Sequence, residues 1–474
     1  MADPRHNAEV DWAREALREA RPTVFWLEGV HGEPGRAALA RSTRADLVVV
    51  GGGFTGLWAA LQALEDDPGL MVVVLEAGRV ATGASGRNGG FCDASLTHGL
   101  ANGIAHWPDE IEPLTRLGAA NLDAIEATVA HHRIDAGFRR AAETSVATEP
   151  WQLADLAEGL IEHRAHGDRV ELLDAHAMRA RVDSPTYLGG LVRHNDMALV
   201  DPARLAAGLA RAVEQLGGTI HEQSAVREIS TGNRSLTVRT KSAAIEAERV
   251  VWATNAYPGP LRGPRRSIIP VYDHVLVTEP LASGQLASIG WADNDGLSDA
   301  ANQFHYYRRT DDDRILWGGY DATYHYGSGI AVEHEQSDEI HGRLAGHFFD
   351  TFPQLEGVRF SHRWAGVIAT TTRFTAAWGK DFDGRLSWIG GYTGLGVGAS
   401  RFGARVALDL VFGRDTEVVH LGMVQRRPFP FPPEPLRWTG VQLTRRAIQK
   451  ADRRQGRRGP WLRLLDRFGV GFDS

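Results

Sequence analysis

The amino-acid sequence predicts an α/β fold built on a mainly parallel sheet and assembled from discontinuous segments. Three observations support this prediction. A β-branched run, a glycine-rich turn and apolar residues at helical spacing follow one another in ADLVVVGGGFTGLWAALQAL, residues 45–64. A second apolar run, LMVVVLEAG, comes within about 30 residues, which is the spacing of a parallel βαβ unit. A strand, a glycine turn and a helix recur near the C-terminus in RLSWIGGYTGLGVGASRFGARVALDLVFG.

The elements between these two units are readable from their periodicity. The first strands are apolar throughout, which indicates burial on both faces of a sheet. Residues 109–180 hold a helical period. Residues 201–217 predict a helix with Asp201 as N-cap and Pro202 in its first turn. Residues 268–370 are rich in strand signals, and HYYRRTDDDRILWGGY predicts a hairpin. At 474 residues the chain has room for two or three domains.

Composition excludes several classes of function. The 52 Lys and Arg residues against 59 Asp and Glu residues leave a net charge of −7, which gives no attraction to nucleic acid. No apolar run of about 18 residues is present, so we expect no membrane span. The charged N-terminus lacks the apolar stretch of a secretory signal, and a single cysteine, Cys92, fits a reducing compartment. The sequence therefore predicts a cytoplasmic protein, and its scattered histidines predict no metal site.

The glycine-rich turn carries the clearest chemical signal. Gly51, Gly53 and Gly56 fit GxGxxG, in which the glycines make a tight turn and admit a pyrophosphate to the backbone. Free amides at the start of the following helix then bind phosphate. Glu76 ends the second strand about 20 residues later, where an acid binds the ribose hydroxyls of a dinucleotide. The spacing predicts dinucleotide binding.

A second loop, AGRVATGASGRNGGF, indicates which dinucleotide. Its glycines allow close approach, and Ser85, Arg87 and Asn88 offer hydrogen bonds to a cofactor that lies extended along it. A nicotinamide cofactor needs no such loop here, whereas an extended flavin does. The alternative interpretation is a flexible surface loop.

At these residues the sequence resembles the D-amino-acid oxidase family of FAD-dependent oxidoreductases, which includes glycine oxidase, sarcosine oxidase and γ-glutamylputrescine oxidoreductase. The resemblance spans about residues 45–412. DLVVVGGGFTGL with VVVLEAG is similar to the FAD fingerprint of the family, and GASGRNGG is similar to the γ-glutamylputrescine oxidoreductase branch in particular. Three further segments follow in the family's order: ALVDPARLAAGLARAVEQLGGTIHEQSAVREI, VVWATNAY and IGGYTGLGVGASRFGARVALDL.

The resemblance implies a Rossmann-like FAD-binding domain of the glutathione-reductase type, interleaved with an α+β substrate domain built on an antiparallel sheet. It implies FAD as the cofactor, and noncovalent FAD, because Arg87 and Asn88 stand where covalent relatives carry histidine. We expect an N-terminal extension over 1–44, an FAD-binding domain from 45–108 with 191–260 and 371–412, a substrate domain from 109–190 with 261–370, and a basic C-terminal tail over 413–474. The implied FAD contacts are Gly51, Gly53, Phe54, Thr55, Gly56, Glu76, Ala77, Ser85, Gly86, Arg87, Asn88, Gly89, Val226, Thr254, Thr393, Gly394, Leu395, Gly396 and Val397.

The implied activity is oxidation of the C–N bond of a primary or secondary amine or amino acid, by hydride transfer to flavin N5. The resulting imine hydrolyses, and O2 or another acceptor reoxidises the flavin. No second GxGxxG is placed to bind NAD(P)H, so the substrate is the expected reductant. Two alternatives stay open: an NAD(P)H-dependent flavin monooxygenase, and a flavin-bearing subunit that acts only with a partner.

The sequence identifies no catalytic residue. Four residues are candidate substrate contacts: Tyr307, Arg308, Trp364 and Tyr392. Arg308 could hold a carboxylate in a bidentate fork, or it could be a solvated strand residue beside the acidic turn 311–313. The basic tail, rich in arginine with Trp461 and Phe468, could dock on a membrane surface or a partner, or could pack on its own protein. The sequence leaves the amine and the oligomeric state unassigned.

Overall fold

A computed structural model describes residues 12–470 apart from 31, 33, 233, 234, 258 and 294. Its first sheet has eight strands. Six of them lie side by side in the order Ala377–Asp381, Leu386–Gly390, Ala244–Trp252, Thr43–Val50, Val72–Leu75 and Thr219–His221. Strands Leu236–Arg239 and Glu228–Thr231 extend it in antiparallel fashion from Ala244–Trp252. The central pairs are parallel, which confirms the predicted βαβ sheet.

Three helices cover one face of the first sheet. Helix Phe54–Asp66 follows the first strand and lies between helices Pro202–Gln215 and Gly396–Phe412. Helix Pro202–Gln215 begins as predicted, because the Asp201 carboxylate accepts from the Arg204 amide at 2.9 Å. Such caps satisfy an amide that the first helical turn leaves unpaired. The resulting layers enclose the largest apolar core of the chain.

The second sheet has nine strands and is mostly antiparallel. Its order is Phe360–Thr370, Ile269–Thr278, Ile315–Gly319, His305–Arg309, Gly296–Asp299, Arg139–Ala147, Gly189–Leu199 and Phe91–Asp93, with Val170–Asp174 paired to Gly189–Leu199. Strands His305–Arg309 and Ile315–Gly319 form the predicted hairpin. One neighbouring pair, Gly296–Asp299 with Arg139–Ala147, is parallel. The predicted fold class, a Rossmann-like sheet with an interleaved antiparallel substrate sheet, is confirmed.

The domain ranges from the sequence stay a prediction, and three segments near their limits pair or pack with the other domain. Strands Phe91–Asp93 and Gly189–Leu199 pair with each other in the second sheet, although the prediction assigned 91–93 and 191–199 to the first domain. Helix Ile111–His131, assigned to the substrate domain, packs against helix Gly396–Phe412, and the Asn121 amide donates to the Gly398 carbonyl at 2.9 Å. These limits depend on long-range pairing that periodicity does not report.

The remaining helices surround the second sheet or close the ends of the chain. The described part of the segment 12–44 packs on the rest of the protein, because Ala13, Leu17, Trp26 and Leu27 are buried. The remaining helices are 12–17, Phe25–Glu28, Leu100–His106, Gln152–Ala165, Ala175–Arg181, Arg262–Ser267, Ser283–Ile289, Asp338–Thr351, Glu417–His420, Gly422–Gln425, Leu436–Asp452 and Pro460–Arg467. Short 3-10 turns lie at Ala84–Gly86, Pro108–Glu110, Tyr326–Ser328, Val332–Glu335, Pro353–Leu355 and Phe382–Gly384. We call Leu436–Asp452 and Pro460–Arg467 the C-terminal helix pair.

Among the described helices, none combines the length and apolar character needed to span a membrane.

Candidate active site

The glycine-rich turn between the first strand and its helix has no room for side chains. Gly51 has φ +112°, and a Cβ atom there would lie 2.7 Å from the Ala253 carbonyl oxygen. A Cβ atom at Gly53 would lie 2.8 Å from Ser85 Oγ, and one at Gly56 would lie 1.9 Å from the Gly51 carbonyl oxygen. The turn is thus a bare-backbone cradle at a helix N-terminus, the arrangement that receives phosphate.

Glu76 stands beside this cradle at the end of the second strand. Its carboxylate accepts from the backbone amide of Gly52 at 2.6 Å and from that of Gly78 at 2.7 Å. Burial raises the pKa of Glu76, and the two amide donors oppose that rise. The position fits an acid that holds ribose hydroxyls next to bound phosphate.

The second loop packs against the cradle and is not a free surface loop. Ser85 Oγ accepts from the Phe54 amide at 2.8 Å. Asn88 donates to the carbonyls of Ala84 and Ser85 at 3.0 and 2.9 Å. The Arg87 guanidinium lies 2.5 Å from a Glu335 carboxylate oxygen. The loop is therefore fixed by its own protein contacts, which is the ordering that an extended cofactor site needs.

The C-terminal turn reaches the same place from the other end of the chain. The hydroxyls of Tyr392 and Thr55 form a hydrogen bond with 2.9 Å between their oxygens. Thr393 has φ +49°, and its amide donates to the Ala369 carbonyl at 2.9 Å. Helix Gly396–Phe412 then begins, pressed so closely on the strand Phe91–Asp93 that a Cβ atom at Gly398 would lie 2.0 Å from the Asp93 carbonyl oxygen.

A single continuous cavity of about 2010 Å³ connects these parts. Small-molecule sites typically occupy about 300–1,000 Å³, so this cavity has room for an extended dinucleotide and a substrate together. Most of the predicted cofactor contacts line it: Gly51, Gly53, Phe54, Thr55, Glu76, Ala77, Ser85, Arg87, Asn88, Gly89, Val226, Thr254, Thr393, Gly394, Leu395, Gly396 and Val397. Gly56 and Gly86 lie behind the wall, where both are needed for close packing.

Three of the four predicted substrate contacts do not line the cavity, and only Tyr392 does. Arg308 is 3% exposed, and its guanidinium donates to the Val200 carbonyl at 2.8 Å. Tyr307 is 1% exposed, and its hydroxyl meets that of Tyr187 at 2.8 Å on the opposite face of the strand. Trp364 is 1% exposed and donates to the Arg87 carbonyl at 2.9 Å. We therefore correct these predictions: all three residues support the wall from behind.

The cavity wall carries polar residues that sequence reasoning did not select. Tyr306 Oη donates to the Asp273 carboxylate at 2.5 Å on the face of the second sheet that forms the floor. The Arg193 guanidinium donates a hydrogen bond to the Glu143 carboxylate and lies 3.1 Å from an Asp93 carboxylate oxygen. The sequence held one signal for Asp273, an acid followed by His274 inside the mainly apolar segment IIPVYDHVLVT.

The C-terminal helix pair covers part of this cavity. Trp461, Leu462 and Leu465 line it, together with Leu443 and Arg445. Two polar anchors, one half-buried and one fully buried, hold the pair in place. Asp452 accepts from the amides of Asn302 and Gln303 at 3.1 Å each. Asp321, whose side chain is fully buried, accepts from Arg445 Nε at 2.7 Å. The tail is thus a wall of the candidate site.

Metal chemistry has no candidate ligands in the described ranges, since no group of three or more His, Cys, Asp or Glu side chains is placed to hold an ion there. The fold and the site instead define a dinucleotide-binding protein with a bare-backbone phosphate cradle, an acid after the second strand and a long internal cavity. This chain belongs to the FAD dependent oxidoreductase (DAO) family, whose sequence model matches residues 46–410. The prediction of that family, and of FAD as cofactor, is confirmed.

Comparison with individual proteins agrees with the family. The chain is 32% identical over 404 residues to γ-glutamylputrescine oxidoreductase of Escherichia coli, which covers 83% of this chain and 89% of the relative. It is 30% identical over 389 residues to a probable oxidoreductase OrdL of Haemophilus influenzae, which covers 80% and 85%. Among solved structures, glycine oxidase from Geobacillus kaustophilus has a TM-score of 0.65 at 20% identity, covering 80% of this chain and 96% of that one. NikD, an amino acid oxidase of nikkomycin biosynthesis, has a TM-score of 0.66 at 18% identity, covering 83% and 99%.

Proposed function

We propose that the protein oxidises the C–N bond of a primary or secondary amine, using FAD that it holds without a covalent bond. The observation that carries this proposal is the continuous cavity, which joins the phosphate cradle to a floor that carries a carboxylate. The similarity to γ-glutamylputrescine oxidoreductase supports an amine as the substrate. O2 or another acceptor would take the electrons.

The residues present fit FAD. The side-chain-free cradle at Gly51, Gly53 and Gly56 would receive the pyrophosphate, and Glu76 would hold the adenosine ribose. The turn from Thr393 to Val397 would lie along the flavin ring. When bound, FAD supplies the hydride acceptor. The chain itself contributes by excluding water, by orienting the amine in the cavity and by fixing both loops that line it.

Noncovalent attachment is supported by the surroundings of Cys92. This residue is 0% exposed, and burial raises the pKa of its thiol to about 12. A thiol of that kind stays protonated at neutral pH and is a poor nucleophile. We expect acid precipitation to release all of the flavin, and a yellow protein pellet would contradict this part of the proposal. The presence of one cysteine also fits the cytoplasm.

The test of the activity is anaerobic titration of the purified, FAD-loaded protein, followed by flavin absorbance. Primary and secondary amines are added in one series and NADPH in a parallel one. We expect amines to bleach the flavin and NADPH to leave it oxidised. Bleaching by NADPH alone would contradict amine oxidation and favour a monooxygenase. Admitting O2 to the amine-reduced protein would then separate an oxidase, which recovers its absorbance at once, from a dehydrogenase.

A further inference from the structure

Asp273 and Tyr306 form a hydrogen-bonded pair on the floor of the cavity to which no role has yet been assigned. Asp273 lies on strand Ile269–Thr278 and Tyr306 on strand His305–Arg309. Tyr306 Oη donates to Asp273 Oδ2 at 2.5 Å. Both side chains line the cavity and are half-buried, so a ligand in the cavity can reach them.

Glycines fix the position of this pair. A Cβ atom at Gly318 would lie 2.6 Å from the Tyr306 ring, and one at Gly89 would lie 2.7 Å from it. The ring therefore rests on the bare backbone of one strand and against the second loop. The strand partner of Asp273 is Gly366, so no side chain stands beside the carboxylate on that neighbouring strand. The pair is rigidly held, and Asp273 stays accessible.

The neighbouring carboxylates on the floor each contact a basic side chain, whereas Asp273 contacts none among the described residues. Glu143 and Asp93 share Arg193, and Asp299 lies 2.5 Å from His305 Nδ1. Asp273 accepts from the Tyr306 hydroxyl and from backbone amides, all of them neutral donors. Within the described part of the chain, no cationic side chain lies within ion-pairing distance of it.

The arginines of the wall are already occupied. Arg87 pairs with Glu335, Arg445 with Asp321 and Arg458 with Asp466. Arg437, which also lines the cavity, donates to the Pro432 carbonyl at 2.9 Å and to the Ser328 hydroxyl at 3.0 Å. Within the described residues, the floor therefore presents a negative charge without a paired cation, and each arginine of the wall already donates to a protein acceptor. A charge in a low-dielectric site is stabilised most by an opposite charge in direct contact.

We propose that Asp273 binds the substrate nitrogen as an ammonium ion, with Tyr306 as the positioning residue that orients the carboxylate. This inference rests on the proposed function and deepens it, because it assigns the substrate class as cationic amines. Recognition comes from a carboxylate that accepts N–H bonds, and the cation restores neutrality to the floor. Oxidation needs the lone pair of the neutral amine, so the bound ammonium gives one proton to the Asp273 carboxylate before hydride leaves the neighbouring carbon. A neutral alcohol of the same shape can donate one hydrogen bond to the carboxylate but does not neutralise its charge.

The pH dependence follows from the surroundings of Asp273. Burial raises the pKa of Asp273 to about 6, although the Tyr306 hydroxyl and the backbone amides lower it. The titratable and charged groups facing it are Tyr306 and His305 on one strand, Tyr320 after the next, and Arg87 against Gly366. Because the carboxyl is neutral below its pKa, affinity for a cation should fall as pH drops through about 6.

The test measures binding of tert-butylammonium, which has no hydrogen on the carbon next to nitrogen and so cannot be oxidised. Calorimetry on the FAD-loaded protein compares it with tert-butanol, its neutral isostere. At pH 7.5 we expect Asp273→Asn to weaken binding of the cation at least about tenfold and to change binding of the alcohol by much less. Glu356→Gln, the same charge change at an exposed site away from the cavity, should leave both unchanged.

Tyr306→Phe separates a positioning role from a merely structural one. Removing the hydroxyl donor should keep cation binding and move its pH midpoint upward, because that hydrogen bond lowers the pKa of Asp273. It also serves as the second variant if Asp273→Asn fails to fold. No saturable binding to the wild-type protein, equal binding to Asp273→Asn, or an unmoved midpoint in Tyr306→Phe would overturn the inference. Cation binding that depends on Asp273, in a protein whose flavin no amine bleaches, would contradict the proposed function and leave the ammonium site standing.

Discussion

Gly56 and Gly51 touch across the glycine-rich turn, so that a Cβ atom on Gly56 would lie 1.9 Å from the Gly51 carbonyl oxygen. That oxygen belongs to the backbone and has no side-chain freedom with which to move away. The helix that follows is buried along its length, so it has little room to shift either.

We therefore predict that Gly56→Ala loses FAD and destabilises the fold. Overpacking of a tight site costs roughly 1–3 kcal/mol, and here the displaced atoms also shape the phosphate cradle. Flavin content after purification and the midpoint of thermal unfolding are the measurements. Gly342→Ala is the matched control, since a Cβ atom there meets open space on helix Asp338–Thr351. It should keep FAD and stabilise the helix by up to about 1 kcal/mol.

Replacing Glu76 by Gln should weaken FAD binding. Hydrogen bonds to a charged group contribute about 1.5–3 kcal/mol, which corresponds to roughly a 10- to 100-fold loss of affinity. Burial raises the pKa of Glu76, so the affinity of the wild-type protein should fall as pH drops through a value above that of an ordinary glutamate. The variant should lack this dependence. Flavin fluorescence during FAD titration measures both effects, and equal affinity in the two proteins would contradict a ribose-binding role.

Arg308 should act on stability and not on substrate affinity. Its buried guanidinium donates to the carbonyls of Val200 and Gly90, at 2.8 and 3.3 Å. Burial lowers its pKa to about 10, so it stays charged at neutral pH. Arg308→Ala leaves two buried carbonyls without this donor, and we expect a loss of about 2–4 kcal/mol in the free energy of unfolding.

Chemical denaturation of Arg308→Ala measures the loss in the free energy of unfolding. Steady-state kinetics on the folded protein measure whether KM for the substrate changes. Arg308→Lys should recover part of the stability through one of the two bonds. A raised KM for acidic amines at unchanged stability would restore the carboxylate-binding role that the sequence first indicated.

Removing the ion pair between Arg445 and Asp321 should loosen the contact of the C-terminal helix pair with the rest of the protein. Asp321 has no exposed side-chain surface and accepts from both Arg445 and Arg343. Arg445→Ala removes charge-assisted bonds at about 1.5–3 kcal/mol and leaves the carboxylate short of one partner. We expect faster tryptic cleavage near Arg453 and Arg454, which are exposed, and a KM that rises more than kcat falls.

Arg446→Ala is the control for this prediction, because Arg446 is the exposed neighbour of Arg445 on the same helix. Equal cleavage rates in the two variants would show that the anchor does not hold the helix pair over the cavity.

The cofactor half of the site could be predicted from the sequence because its signals are local. The glycine turn, Glu76 and the N-cap Asp201 each depend on residues within about 25 positions of one another, and all occupy their expected places. The substrate half could not be predicted in the same way. Asp273 and Tyr306 lie 33 positions apart on separate strands, and their contact depends on sheet register.

Arg308 shows how register decides a role. Tyr306 and Arg308 share one face of their strand because side chains alternate, yet only Tyr306 reaches the cavity, since the loop end at Gly90 and Val200 covers Arg308. The run HYYRR does not indicate which face of its strand packs against the second loop.

By itself, the sequence determined the family, the two kinds of sheet and the glycine-rich turn, because a phosphate-binding turn requires particular residues at fixed short spacing. Only the tertiary structure decided which side chains face the cavity, that Asp273 has no paired cation among the described residues, and that the C-terminal helix pair forms a wall of the site. These properties depend on burial and on partners distant in the chain. The free energy of a charge depends on its surroundings, and folding alone brings those surroundings together.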